Sequence, residues 1–333
     1  YLRTSGFGAF TLGTAITSTS TIALLGLDRG VGRYLPRNDD SEYKREVLFS
    51  AIVIVVPSSI LLSMFVYISA ESIATTLFSQ PASTPLVKVF AFAIPFLVWV
   101  RFCVGATQGM ELTRPKIILQ NFLIPTGKSG LAVIAIFLGA GTFGVGAAYT
   151  LTFVLAGVVG TYYLIGFTPL TSGGLPQTRS TEIISFSLPI MVIAVSNVIM
   201  TSIDSMMLAY FGGTSWTGIY NSALPLARFT LIGLLSFSFL ALPVLSRLHS
   251  NDEVNQMKRI YSTLTKWILA TTFPIFFMVL VFPKLLMSFV FGPDYVSGAG
   301  VLAILAIGFS THVIAGPNED TLVSLGNTRD IMI

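Results

Sequence analysis

Long apolar stretches follow one another along the whole chain, separated by short turns that contain polar residues, glycine or proline. A helix rises about 1.5 Å per residue, so about 20 apolar residues cross the roughly 30 Å hydrocarbon core of a bilayer. These runs do not alternate between polar and apolar positions, which argues against a barrel, and lipid requires backbone hydrogen bonds within each segment. We therefore predict nine membrane-spanning helices, near residues 7–27, 47–69, 86–108, 117–138, 143–167, 181–211, 218–245, 259–282 and 296–316.

The composition supports an integral membrane protein. Charged residues make up 10% of the 333 residues and apolar residues 53%, whereas a soluble domain carries about 25% charged residues. A water-soluble protein of this size could not bury so much apolar surface in one core. The breaks between spans are too short for a separate soluble domain, and the single cysteine, Cys103, excludes an internal disulfide.

The basic residues of the loops define an orientation. Alternate loops carry most of them: Arg29, Arg33, Arg37, Lys44, Arg45, Arg114, Lys116, Arg179, Arg247, Lys258, Arg259 and Arg329. The opposite loops carry Arg3, Lys88 and Lys284. Positive charge is enriched in cytoplasmic loops, so the first set is predicted to face the cytoplasm. We expect a multi-pass protein of the plasma membrane.

The chain also resembles itself at a shift of about 210–215 residues, which predicts an internal repeat. Gly8-Ala9-Phe10 aligns with Gly218-Ile219-Tyr220, and Lys44-Arg45 aligns with Lys258-Arg259. The shift equals six spans, so the two copies have the same orientation. We predict an N-terminal lobe over residues 1–175, lacking its first helix, and a C-terminal lobe over residues 176–333, lacking its last helices. The intact protein would then have twelve or more spans.

Several short motifs resemble a known transporter family. They are Leu25-Gly-Leu-Asp-Arg-Gly-Val-Gly-Arg-Tyr-Leu, Gly109-Met-Glu-Leu-Thr-Arg-Pro-Lys, Ile203-Asp-Ser-Met-Met-Leu, Gly218-Ile-Tyr-Asn-Ser-Ala-Leu-Pro-Leu, Phe291-Gly-Pro-Asp-Tyr and Leu325-Gly-Asn-Thr-Arg. With the repeat, they resemble the polysaccharide-biosynthesis branch of the multidrug/oligosaccharidyl-lipid/polysaccharide exporter superfamily. The resemblance implies an all-α, MATE-like membrane protein with two lobes formed by parallel six-helix repeats, of which this chain is a fragment.

The resemblance also implies a function. It is that of a flippase, which moves polyprenyl-diphosphate-linked oligosaccharides outward by alternating access for the assembly of surface polysaccharide. The expected partners are the lipid-linked oligosaccharide and membrane lipids, with a coupling ion or the gradient of the substrate itself supplying the energy. We expect a monomer that uses no cofactor.

Four ionisable side chains inside predicted spans are candidates for the substrate path. An ionised group at the centre of a span costs about 2.5–3.5 kcal/mol on insertion scales, so it needs a partner or water. Arg101 lies in the third span, Lys128 in the fourth, Asp204 in the sixth and Arg228 in the seventh. In the functional interpretation, the cations line a cavity that holds a diphosphate, because arginine contacts phosphate with two parallel hydrogen bonds and lysine offers a compact charge.

A purely structural interpretation of the same residues stays open. In it, Asp204 pairs with Arg228 and locks two helices together. Arg101 and Lys128 then extend towards water or bind backbone carbonyls. Under this interpretation none of the four side chains contacts the transported molecule.

Other functions are weighed against the flippase. The main alternative is a cation-coupled MATE-type exporter of drugs or other small solutes, which would need buried carboxylates rather than buried cations. We do not expect an enzyme, since the short loops carry no catalytic constellation. His249 and His312 are too isolated for a metal site. The basic stretch 29–45 also contains acidic residues, which favours membrane orientation over nucleic-acid binding.

Overall fold

The computed structural model describes residues 2–78, 80–171, 180–314, 316–318 and 321, and every element in them is helical. The α-helices are α1 (Thr4–Thr19), α2 (Leu27–Tyr34), α3 (Ser41–Ile68), α4 (Ala70–Thr76), α5 (Thr84–Gly109), α6 (Arg114–Lys116), α7 (Ile124–Phe137), α8 (Gly141–Phe167), α9 (Ser180–Arg228), α10 (Ile232–Ser250), α11 (Val254–Val281), α12 (Pro283–Phe291) and α13 (Ala299–Ile314). The seven residues Ile117–Leu123 join α6 to α7 as a π-helix. Arg179 and the motif that begins at Leu325 lie outside the described residues.

Within the described residues, eight helical stretches are long and apolar enough to cross a membrane. The sixth, Met191–Ser250, contains 60 residues; a straight helix of that length would measure about 90 Å, three times the hydrocarbon core. It bends at Gly213, whose φ of 76° and ψ of −179° are not helical and which separates two helices inside α9. The predicted spans 181–211 and 218–245 lie on either side of this glycine, so the all-α membrane fold is confirmed.

The surface of these helices is apolar, as contact with lipid requires. Large apolar side chains point outward along them, among them Phe137 at 87%, Phe289 at 85% and Met200 at 82% of full exposure. Water would disfavour so much exposed apolar area, whereas acyl chains accept it. The burial pattern therefore supports the multi-pass membrane assignment independently of hydropathy.

The segment 28–46 lies between the first two predicted spans, but the structure is helical over most of it. Residues 27–34 form α2, and α3 begins at Ser41, before the predicted start at residue 47. Asp40 explains the early start, because its side chain accepts a hydrogen bond of 3.1 Å from the backbone N–H of Glu42 and so caps the helix. The capped turn carries the charged residues of the sequence 41–46 before the apolar part of α3 begins.

The chain divides into two compact units, Tyr1–Gly218 and Ile219–Ile333. In the first unit α5 packs against α1, α2, α3, α4 and α8, and its side chains form much of the buried core. Glycines permit the closest approaches: a Cβ atom on Gly13 of α1 would overlap the ring of Phe90 on α5. The predicted lobe boundary between residues 175 and 176 falls outside the described residues and stays a prediction.

The second unit has its own packing. Here α11 packs against α10 and α13, and α12 packs against the 3₁₀ helix Pro293–Gly298. Gly233 of α10 faces α11, since a Cβ atom there would lie 2.7 Å from the hydroxyl oxygen of Thr272. Ala241, Leu245 and Leu248 are buried together between α10 and α11.

The two glycines that the predicted internal repeat aligns lie in close contact within the first unit. A Cβ atom on Gly8 would overlap the carbonyl oxygen of Thr214, and a Cβ atom on Gly218 would overlap that of Thr4. Thr4 and Ser215 also share a hydrogen bond of 3.0 Å between their hydroxyl groups. Each helix thus offers a Thr-Ser pair followed three residues later by glycine, and small residues of this kind let membrane helices approach closely.

This contact predicts a stability effect. Gly8→Leu should lower the melting temperature of the purified protein, because overpacking a tight contact costs about 1–3 kcal/mol. Gly130→Leu is the matched control, since a Cβ atom on Gly130 meets no other atom within 4 Å. Thermal unfolding in detergent measures both variants. Equal melting temperatures for the two variants would show that the Gly8 contact contributes nothing to stability.

Candidate functional site

A polar cavity lies in the first compact unit. Its volume is about 490 Å³, and it is lined by Asp28, Arg29, Gly32, Arg33, Arg101, Val104, Gly105, Gln108 and Gln120. Its lining residues come from three segments: α2, α5 and the π-helix Ile117–Leu123. A cavity rich in charged and amide groups within a helical membrane bundle is a candidate binding site.

Helical spacing places the lining residues on single faces. On α5, residues 101, 104, 105 and 108 follow the i, i+3, i+4, i+7 pattern of one helix face. On α2, residue 28 lies one turn from residue 32, and residue 29 lies one turn from residue 33. Residues from both faces line the cavity.

Two glycines of α5 hold α2 close. A Cβ atom on Gly105 would lie 2.5 Å from the carbonyl oxygen of Asp28, and one on Gly109 would lie 3.0 Å from the Cα of Gly32. Larger residues at either position would push α2 away from α5. The spacing of the two glycines, four residues apart, is the one that lets membrane helices pack with their backbones in contact.

The cavity carries net positive charge. Three arginines, Arg29, Arg33 and Arg101, line it together with one carboxylate, Asp28. Asp28 is close enough to Arg101 for their charges to attract each other. One carboxylate cannot neutralise three guanidinium groups, so the cavity attracts anions.

The π-helix supplies the amide of Gln120. Residues 117–123 adopt the wider π turn between α6 and α7, a geometry that often occurs at functional sites because it changes the direction of side chains. Leu119 is buried against Val100 and Val104 of α5, while the neighbouring Gln120 lines the cavity. The polar side chain therefore lies next to the residue that attaches this segment to the core.

Lys128 is held by aromatic rings. Its ammonium nitrogen lies 4.5 Å from the centre of the Tyr149 ring and 4.8 Å from that of Phe153, both on α8. The face of an aromatic ring carries partial negative charge and attracts cations at this distance. Gly127 brings α7 near α8, since a Cβ atom there would lie 2.8 Å from the Thr152 methyl group.

The ring pair belongs to a larger aromatic cluster. Tyr149 packs against Phe153 at 5.0 Å, Phe90 at 5.4 Å and Phe10 at 6.0 Å between ring centres. Packing on several sides restricts the Tyr149 ring to the orientation that faces Lys128. We refer to Lys128, Tyr149 and Phe153 as the lysine cage.

Arg101 connects the lysine cage to the cavity. It lines the cavity, and it lies near enough to Lys128 for their positive charges to repel each other. Among the described residues, neither Arg101 nor Lys128 makes an ion pair with a carboxylate. Asp28 attracts Arg101 without forming such a pair, so no described carboxylate in direct contact neutralises either cation.

The other two predicted site residues lie elsewhere. Asp204 is half-buried in α9, and its Oδ1 accepts a hydrogen bond of 2.7 Å from the backbone N–H of Ser205. Arg228 is exposed at the end of α9 and belongs to the second compact unit. Their pairing and their roles in the substrate path stay predictions.

The sequence interpretation missed most of the cavity. In the sequence, Arg29 and Arg33 indicate only the orientation of the helices, and Gln108 and Gln120 are not among the predicted site residues. The available signal was the pair Gly105 and Gly109, whose spacing indicates a helix packed closely against this part of α5.

The comparisons with known proteins agree with this architecture. A family model described as polysaccharide biosynthesis protein matches residues 1–249. No curated protein gives a significant match to the chain.

Solved structures of transporters share the fold. The inward-facing conformation of a multidrug resistance MATE family transporter of the MOP superfamily superposes with a TM-score of 0.67 at 16% identity, over 97% of this chain and 80% of that chain. The MATE multidrug transporter DinF-BH in complex with R6G gives a TM-score of 0.58 at 18% identity, over 99% of this chain and 76% of that chain. The outward-facing conformation of a multidrug resistance MATE family transporter gives a TM-score of 0.57 at 15% identity, over 98% of this chain and 75% of that chain. The predicted MATE-like fold is confirmed.

The cavity makes a prediction about water access. In a Cys103→Ala background, Gln108→Cys should react with a membrane-impermeant maleimide added from the cytoplasmic face, because thiolate chemistry requires water. Phe137→Cys is the control, since that position is highly exposed, lies in an apolar helical stretch and does not line the cavity. Labelling of oriented vesicles followed by mass spectrometry measures both. Labelling of position 137 but not of 108 would contradict a water-filled cavity.

Proposed function

We propose that this chain, which belongs to the polysaccharide biosynthesis protein family, is a flippase for polyprenyl-diphosphate-linked oligosaccharides. The chain is a multi-pass membrane transporter of the MOP superfamily, with a fold consistent with the plasma membrane. The cargo is our inference. It is supported chiefly by the excess of positive charge in the cavity of the first unit.

The chemistry of the lining residues suits a diphosphate. A guanidinium group makes two parallel hydrogen bonds to phosphate oxygens, and such charge-assisted bonds are stronger than neutral ones. Arg29, Arg33 and Arg101 could share the oxygens of two linked phosphates, and the amides of Gln108 and Gln120 could bind nearby sugar hydroxyls. The lipid tail would remain in the surrounding bilayer.

The proposed transport follows from where these groups lie. Arg29 and Arg33 belong to the predicted cytoplasmic side, so the head group would first meet these two arginines. Arg101 on α5 and then Lys128 on α7 would follow, since Arg101 lies within electrostatic range of both the cavity and the lysine cage. Alternating access, an ion or substrate gradient as the energy source and a monomeric state are part of the proposal. The chain would act without catalysing a reaction.

A cation-coupled exporter of small solutes is the second candidate. The observation that favours it is Asp28, a carboxylate inside the cavity that could bind a coupling cation or a cationic solute. Asp204 is a further half-buried carboxylate in α9. The two candidates differ in the sign of the charge that the cavity must bind: negative for a diphosphate and positive for a coupling cation or a cationic solute.

The arginines provide the first test of the flippase. In proteoliposomes, Arg29→Ala and Arg101→Ala should each lower the flipping rate of a fluorescent polyprenyl-diphosphate sugar about 10- to 100-fold. A hydrogen bond to a charged group contributes about 1.5–3 kcal/mol, which corresponds to this range. Lys128→Ala and Arg228→Ala test the remaining predicted cations.

Arg114→Ala is the matched control. Arg114 is an exposed arginine in α6 that does not line the cavity, so its removal should leave the rate near that of the wild-type protein. If the wild-type protein flips the substrate and the flipping rates of Arg29→Ala and Arg101→Ala are both unchanged, the cavity is not the head-group site. A wild-type protein that does not flip the polyprenyl-diphosphate sugar but exports organic cations would instead favour the second candidate.

Asp28 separates the two candidates. Asp28→Asn removes the carboxylate from the cavity and increases its net positive charge, so a diphosphate substrate should bind more tightly and its KM should fall. The same variant should abolish transport in a cation-coupled exporter, because the coupling cation loses its ligand. Initial rates over a range of substrate concentrations distinguish these results.

A further inference from the structure

The lysine cage has the composition of a receptor for alkylammonium ions. Two aromatic rings, Tyr149 and Phe153, present their faces to one ammonium nitrogen at 4.5 and 4.8 Å. Proteins recognise ammonium ligands with such rings, because the faces attract positive charge and the ring edges pack against the alkyl groups. Here the ammonium is part of the chain itself.

We propose that Tyr149 and Phe153 form a binding site for primary alkylammonium ions, that Lys128 fills this site in the native protein, and that the resident lysine excludes cationic solutes from the interior of the first unit. Lys128 therefore determines that cationic solutes are excluded from this site. Without it, the same rings would accept a free cation of matching size.

The surroundings show why the site is selective for a cation. Among the described residues, Lys128 makes no ion pair with a carboxylate, and its described charge-stabilising contacts are the two rings. The rings are fixed by Phe10 and Phe90, which pack on Tyr149 from other sides. A site built this way is already formed before a ligand arrives, so binding loses little freedom in the protein.

Arg101 adds a second barrier to solutes of positive charge. It lies within electrostatic range of Lys128 and lines the neighbouring cavity. A cation that enters the cavity meets Arg101 first and then a cage already occupied by the ammonium of Lys128. An anion meets attraction from both groups. The exclusion of cations thus follows from the occupied cage and not only from net charge.

The experiment replaces the side chain of Lys128 by a free molecule. Lys128→Ala removes three carbons and the ammonium group, and n-propylammonium has these same atoms. Titration of the purified variant with n-propylammonium, followed by calorimetry and by the rise in melting temperature, should give a dissociation constant about tenfold or more below that of the wild-type protein. Propan-1-ol, which is similar in size but neutral, should give no such difference.

Matched variants identify the rings as the receptor. Adding Phe153→Leu to Lys128→Ala should abolish the gain in n-propylammonium binding, while adding Tyr149→Phe should preserve it because the ring remains. Lys88→Ala is the control for an exposed lysine: its ammonium lies 5.1 Å from the Tyr67 ring, but both residues are exposed. It should gain no affinity.

A second route avoids dependence on one variant. In a Cys103→Ala background, Lys128→Cys should bind n-propylammonium, and reaction of the cysteine with 2-bromoethylamine, which rebuilds a lysine-like side chain, should remove that binding. Equal affinities before and after this reaction, or in wild-type and Lys128→Ala proteins, would overturn the proposal. The titrations contain no lipid-linked sugar, so their failure would not affect the proposed flippase, and a failed flipping assay would not affect the cage.

Discussion

The approach of α2 to α5 is the contact on which the candidate site depends. Gly105 and Gly109 leave the surface of α5 bare, and the backbone of α2 lies against it at Asp28 and Gly32. Because α2 is held there, the exposed side chains of Arg29 and Arg33 line the polar cavity. Association of helices in lipid relies on such packing, since the acyl chains provide no hydrophobic driving force between them.

The bilayer also determines which contacts can stabilise an ionised side chain inside a membrane span. A lysine near the middle of a span costs about 2.5–3.5 kcal/mol, and a cation over a desolvated ring recovers about 2 kcal/mol. Two rings, Tyr149 and Phe153, can therefore offset most of the cost of Lys128. A carboxylate would also offset it, but it would cancel the charge. Rings stabilise the ammonium and leave its field available to an anion.

The sequence predicts the spans well and the site only in part. Hydropathy is a local property, so seven of the nine predicted spans coincide with separate apolar helical stretches, and the other two are parts of the long one divided at Gly213. The helix α2 was missed because its eight residues include Asp28, Arg29 and Arg33, which look like a polar loop when their packing against α5 is unknown. The charges of Arg101 and Lys128 were visible in the sequence. Their neighbours were not, because Tyr149 and Phe153 lie on a different helix and nothing local connects them to Lys128.

The basic residues near α2 can have two roles at once. Positive charge on this side of the membrane orients the helices during insertion, and this requires only that the charges remain in the cytoplasm. The same arginines attract anions once α2 is packed on α5, because packing confines them around a cavity where a low-dielectric wall strengthens their field. A substrate whose head group carries two phosphates would meet this field as it leaves the cytoplasmic surface. Topology and recognition would then rest on one set of side chains, and Arg101 on α5 and Lys128 on α7 would extend that recognition to the neighbouring helices.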